Sequence, residues 1–542
     1  MDDKQPRPPE LPVVRRPPLP RWTVPVVGVV VLVVAGGALL LLWQWIDGLA
    51  LASPADKDRL SSQLDAIKTA SGIAVGGGGL FALYLAARRQ RTQELELAQR
   101  ERAQSHVEQV AEVNRLHAER VAEASESDAA ARRVTELYSA AVEQLGSDKA
   151  PVRLGGLYAL ERLAQDNPVP AALRQMVVNV LCAYLRMPWV PPGEVPGEDA
   201  DELTQARYEG RVQEREVRLT AQRILRDHLH PGADHDKPVA TFWAGANLDL
   251  TGAALVDFDL AGCLVDQAGF ARASFSGKTS FEGARFVQDA RFDAARFAGE
   301  VYFGQTWFTR EAQFTEARFN GEAVFDRAAF RGDVWFGRAS FAQEAWFGRA
   351  SFVPGSGGRV VMFGGASFAA VAGFWETQFA GNVMFGAASF SGDARFARAS
   401  FEGVNLFNGA SFDGEADFSG VSFAGETRFD TAEGAGWAGI DATWSFVAER
   451  LETATTDQPA RFSGRASFSG ASFDGRARFD GVSFAHAADF HALAAHPLSP
   501  FSTWPGGWRP ADQCRPIGGL SGDWHELVPV EPETVGDERF SS

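Results

Sequence analysis

The sequence predicts a multidomain chain: two N-terminal transmembrane helices, an α-helical spacer, a small helical domain, and a four-sided parallel β-helix. Three observations predict it. Phenylalanine recurs from Phe275 to Phe429 at intervals that alternate between five and six residues. An uninterrupted apolar run of about 22 residues extends from Val24 to Trp45. Between these, residues 88–230 place their apolar side chains at helical spacing.

Residues 1–21 are rich in Pro and Arg and read as a disordered tail. A membrane hairpin over 22–87 follows. Its first span, about 24–45, is flanked by Trp22, Trp43 and Trp45 and matches a hydrocarbon core ~30 Å thick. Its length and the lack of a small-residue cleavage site argue against a signal peptide. The second span, about 69–87, contains Gly72 and Gly76–Gly79. The alternative is an interfacial segment. Gly72-x-x-x-Gly76 predicts a close seam with the first span. No Lys-Ser/Thr follows these glycines, so they are not a phosphate-binding loop. Lys4, Arg7, Arg15, Arg16 and Arg21 precede span one, and Arg88, Arg89 and Arg91 follow span two. This bias predicts a multi-pass plasma-membrane protein with both termini cytoplasmic.

Residues 88–127 read as a long charged helix. Val107, Val110, Val113 and Leu116 form its apolar stripe. A coiled coil through that stripe would make a homodimer; a solvated spacer is the alternative. Ser127-Asp128 is expected to cap a new helix ending at Gly146. The helical domain spans 128–230, with Val134, Leu137, Tyr138, Val142 and Leu145 at helical spacing, a helix over Pro151–Ala164, a helix over Leu173–Leu185 stopped by Pro188, a linker over 190–201, and a last helix over Glu202–His228.

The Phe ladder runs Phe275, Phe281, Phe286, Phe292, Phe297, Phe303, Phe308, Phe314, Phe319, Phe325, Phe330, and Ala, Val or Thr stands two residues before nearly every Phe. A step of five matches neither 3.6 nor 2.0 and suits a short strand plus a corner. Four such sides close a square coil, and coils pair at about 4.8 Å. Phe is expected inside, stacked in columns. Upstream the step is uniformly five, from Leu250 through Leu255, Leu260, Val265 and Phe270. A sixth residue on alternate sides should lengthen the coil from 20 to about 22 residues. Val353–Gly357 reads as an extruded loop, 430–460 as an insertion, and 491–542 as a Pro/Trp/Gly-rich tail or cap.

Ala246-Asn247-Leu248-Asp249-Leu250 resembles the repeat unit of pentapeptide-repeat proteins, over about residues 241–490. The resemblance implies a right-handed quadrilateral β-helix. The helix through Val134, Leu137, Tyr138, Val142 and Leu145 and the helix over Pro151–Ala164 form a pair that resembles one HEAT-like unit. Glu143–Ser147, Val152–Glu161 and Phe242–Gly252 resemble the segment before the repeats in membrane-anchored pentapeptide-repeat proteins of actinobacterial type.

Chemistry is sparse. The net charge of −17 disfavours direct nucleic-acid binding. Cys182, Cys263 and Cys514 lack metal or redox spacing. His228, His230, Asp234, His235 and Asp236 form the one His-rich cluster, and its Pro231-Gly232 marks a connector rather than a metal site. No catalytic triad, nucleotide fingerprint or paired carboxylates occur. Asp289, Glu300, Glu316 and Asp333 fall at outward repeat positions and read as a solvated face. The expectation is therefore a membrane-tethered, non-catalytic interaction scaffold with no cofactor and no metal, held in the lipid bilayer by two spans and binding an unidentified protein. The lateral surface, the 353–357 loop and the 430–460 insertion are the expected contact regions. The alternative is a DNA mimic, because the resemblance includes proteins that bind type II topoisomerases. Arg291, Arg296, Arg310, Arg318, Arg327, Arg331, Arg338 and Arg349 dilute the acidic stripe that mimicry needs.

Overall fold

A computed structural model describes residues 22–48, 56–167, 171–234, 236–353, 360–431 and 458–530. The tail at 1–21, residues 354–357 of the expected loop, 432–457 of the expected insertion, and 531–542 lie outside the described residues. The chain divides into two compact units, Met1–Ala129 and Ala130–Ser542.

In the first unit, α1 covers Thr23–Gly48, and α2 starts at Asp56 and runs unbroken to Leu145. Both expected spans are helical. Among the described residues no helix is long and apolar enough to cross a membrane. Among the described residues, no atom stands within 4 Å of a Cβ built on Gly72 or Gly76. Ser127 and Asp128 do not cap a new helix; they lie inside α2. Between Gly79 and Gly146 there is neither Pro nor Gly, and Ser and Asp cost only a few tenths of a kcal/mol in a helix interior. The helix ends before Gly146, as expected.

In the second unit, α3 (Ala150–Asp166) has Pro151 in its first turn, where a missing N–H costs nothing. The next helices are α4 (Ala171–Arg186) and α5 (Glu202–Leu229). Asp201 caps α5 by accepting the Thr204 N–H at 2.7 Å. Leu157, Leu160, Val177, Leu181, Val217 and Leu225 form the buried seam between these helices.

The solenoid is four parallel sheets of two- and three-residue strands. Register confirms the coil length. Leu248 pairs with Ala268, a step of 20, whereas Ala268 pairs with Ala290 and Ala290 with Ala312, steps of 22. Ser340 pairs with Ser367, a step of 27, so five extra residues leave the frame in that coil, as the ladder predicts. Ser411 pairs with Arg461, a step of 50, so the later coil carries 28 residues beyond 22.

The two corner types explain the alternating interval. At the five-residue corner Phe292-Asp293-Ala294-Ala295, Ala295 N–H donates to the Phe292 carbonyl and Ala294 takes φ 51°. This is the positive φ that a type II turn requires. At the six-residue corner, glycine is needed for another reason. A Cβ on Gly321 would stand 2.4 Å from the carbonyl carbon of Gly299 in the coil below.

The four faces are represented by Ala290–Arg291, Arg296–Phe297, Val301–Tyr302 and Trp307–Phe308, here the first to fourth. Inside, Phe297, Phe319 and Phe341 stack at 4.9 and 4.6 Å with planes within 3° of parallel. Neighbouring columns meet edge to face, as Phe303 and Phe314 do at 5.4 Å. All eleven ladder phenylalanines are buried. Burying one such side chain contributes about 1.5–3 kcal/mol.

The C-terminal segment is a cap, not a tail. Strands Trp508–Pro516 and Asp523–Pro529 form an antiparallel hairpin on Leu493–Ala495, which ends the fourth face.

Candidate functional site: the outer faces of the solenoid

Each strand sends one side chain in and the next out, so the outer surface is a grid with one row per coil. On the third face the outward residues include Tyr302, Val324 and Trp346 in successive coils. Tyr302 donates its hydroxyl to Glu300 at 2.8 Å, which pushes the phenol up to about 12, and the Lys278 ammonium lies 4.7 Å from its ring centre. Trp346 donates its indole N–H to Glu322 at 2.8 Å and meets Trp375 edge-on. Gly348 and Gly373 make room for these indoles, since a Cβ on either would stand within 2.5 Å of a ring atom.

Beside this row, at the corner with the fourth face, runs a groove of about 200 Å³ lined by Tyr302, Val324, Asp326, Arg327, Arg349 and Trp375. Asp326 accepts the Gly348 N–H at 2.8 Å, yet partial burial raises its pKa above the usual carboxylate value. At the groove's end Arg349 donates to Glu376 at 2.7 Å, which holds that carboxyl below its usual range. The groove thus offers flat aromatic area, a half-buried carboxyl and guanidinium groups in one strip. It is open to solvent along the surface.

The acids singled out at outward positions are engaged in structure. Glu300 holds Tyr302, Glu316 pairs with Arg338 at 2.7 Å, Asp289 lies 3.9 Å from Arg291, and Asp333 accepts the Val360 N–H. Where the Phe ladder pauses, Asp430 and Arg428 form a buried pair joined by two hydrogen bonds.

The His-rich connector is a joint. His228 is buried, stacks on Trp243 at 4.0 Å, and places its two ring nitrogens against Glu161 at 2.9 Å and the Thr241 carbonyl at 2.7 Å. His230 accepts the Gly232 N–H. His235 lies outside the described residues. Burial pushes the Cys182 and Cys263 thiols up to about 12, which leaves them inert.

Sequence reasoning placed the ladder but missed Tyr302, Trp346 and Trp375. The signal was present: at outward positions mostly held by Arg, Ser, Gln or acid, aromatics stand out once the frame is fixed.

Comparison with known proteins agrees with this architecture. The family model for pentapeptide repeats (9 copies) matches residues 260–307, 303–351 and 385–433, all within the solenoid. No curated protein and no solved structure gives a significant match.

Proposed function

Starting from a solenoid of pentapeptide repeats, we propose that this chain is a membrane-tethered, non-catalytic scaffold that captures a protein along the third face and its groove. The observation that carries the reading is the interior. Four Phe columns fill it, as Phe292, Phe297, Phe303 and Phe308 do in one coil, all fully buried. A reaction needs an enclosed, water-poor pocket; the groove here is a surface feature.

The tether rests on the apolar run from Val24 to Trp45. In α1, Leu32, Val33, Leu40 and Leu41 are exposed, an apolar surface that a bilayer would cover. Arginines before span one and after span two support cytoplasmic termini at the plasma membrane. The exposed stripe Val107, Val110, Val113 and Leu116 supports pairing of two copies through α2.

Topology tests the tether. A reporter fused after Ser542 should behave as cytoplasmic, and a cysteine at Ser61 should label from outside the cell. Release of the full chain into the soluble fraction would defeat the proposal. Inhibition of gyrase supercoiling by the purified chain at micromolar concentration would favour the DNA-mimic reading instead.

A further inference from the structure

The terminal hairpin collects three metal-binding side chains from three adjacent strands. Leu493–Ala495 runs directly into His496, and on it Ala494 pairs with His525. Within the hairpin Cys514 stands opposite His525. The ligand atoms of His496, Cys514 and His525 all lie within 4.8 Å of one another.

Two details point past simple packing. His525 Nδ1 lies 2.8 Å from the Ala511 carbonyl. Only a protonated nitrogen can donate there, so in the neutral ring Nε2 carries the lone pair and accepts from His496. A carbonyl on the far nitrogen is how metal-bound imidazoles are commonly oriented. That Nε2 lies 3.0 Å from His496 Nδ1. Two nitrogens bound tetrahedrally at ~2.0–2.1 Å stand about 3.4 Å apart, so a small adjustment admits an ion. His525 is buried and Cys514 half-buried, whereas His496 is exposed and gives a route from solvent.

The geometry points to a zinc-class metal site held by His496 Nδ1, His525 Nε2 and Cys514 Sγ, with water in the fourth position. Two imidazoles and a thiolate suit Zn²⁺ and disfavour Ca²⁺ or Mg²⁺, which take oxygen ligands. On binding, the hydrated ion gives up all but one of its waters, the Cys514 proton leaves to solvent, and the His496 ring proton moves from Nδ1 to Nε2 by exchange with water; nothing is oxidised or reduced. The ion staples the hairpin to the last strand of the fourth face, so its binding energy becomes stability of the cap. The sequence hides the site because its ligands follow no familiar metal spacing and only the antiparallel register unites them.

The test uses the full chain in detergent, purified through an affinity tag free of histidine, with thiols reduced and Zn²⁺ as the only added metal. After dialysis, elemental analysis should find one zinc per chain, and Cys514→Ser and His525→Ala should each weaken binding at least tenfold. His496→Ala, on an exposed side chain, should do the same and serves if His525→Ala unfolds the hairpin. Co²⁺ in place of zinc should give a thiolate charge-transfer band that Cys514→Ser abolishes. His230→Ala and His491→Ala should leave the stoichiometry unchanged. No stoichiometric zinc, zinc retained by both Cys514→Ser and His496→Ala, or a cobalt spectrum without the thiolate band would overturn the site.

Discussion

Gln222 donates its side-chain amide to the Val256 carbonyl at 2.7 Å and accepts the Val256 N–H at 3.2 Å. One α5 side chain thus does for the first strand of the second face what a preceding coil would do. Gln175 on α4 makes the same bidentate pairing with Asn247 at the first face, at 2.9 Å in both directions. The helical domain is therefore the N-terminal cap of the solenoid, reinforced by Arg226–Asp259 at 3.0 Å and Arg215–Asp257 at 3.0 Å.

Removing this amide should expose the edge. Gln222→Ala leaves a donor and an acceptor of Val256 without partners, at a cost of about 1–3 kcal/mol. Hydrogen exchange should quicken at Val256 and in the coil over 254–276, while coils beyond Phe390 keep their protection. Unchanged exchange at Val256 would show that α5 does not cap the edge.

The ladder makes a second local prediction. Phe319→Ala empties one place in a column between Phe297 and Phe341, at a cost of about 3–5 kcal/mol. Repeats couple mainly to their neighbours, so exchange should quicken near 297–341 and leave distant coils protected. Uniform loss along the solenoid would contradict nearest-neighbour stacking.

Glycine should act in opposite directions at the two corners. Ala294→Gly relieves a non-glycine residue at φ 51° and should stabilise the coil by up to about 1 kcal/mol. Gly321→Ala forces a Cβ into Gly299 and should destabilise by more than that. Denaturation midpoints of the two variants should bracket the parent; the reverse order would reject the corner assignment.

Asp326 predicts a pH dependence. Its folded-state pKa is raised, chiefly by burial. It therefore adds stability below the ordinary carboxylate pKa, and that contribution is lost as pH rises through the raised value. Asp326→Asn keeps an acceptor for the Gly348 N–H without the charge. It should unfold at a higher temperature than the parent at neutral pH, with the gap closing as pH falls through the acidic range. A gap that stays constant or changes sign would show that burial does not set this carboxyl's behaviour.

The solenoid was legible because the chain repeats one local solution dozens of times. Interval, inward Phe and lengthened coil all follow from Phe275 to Phe330 alone. The F-x-G part of the repeat proves to mark close approach between coils, as at Gly321 on Gly299. The continuity of α2 through Ser127-Asp128 was not legible, because capping residues are also tolerated within a long helix. The groove was hidden because its rows lie about a coil apart in the chain, and the His496–Cys514–His525 cluster because only the hairpin register brings its residues together.

The central claim is capture on one particular face, and face-resolved photo-crosslinking of the full chain in living cells tests it most directly. A photoreactive residue would replace Gln305 or Arg327 at the groove, and Arg296 or Arg318 on the second face, all exposed positions. The account predicts a discrete protein adduct from positions 305 and 327 in the membrane fraction and none from 296 and 318. Equal adducts from both faces, or no adduct at the groove, would contradict it.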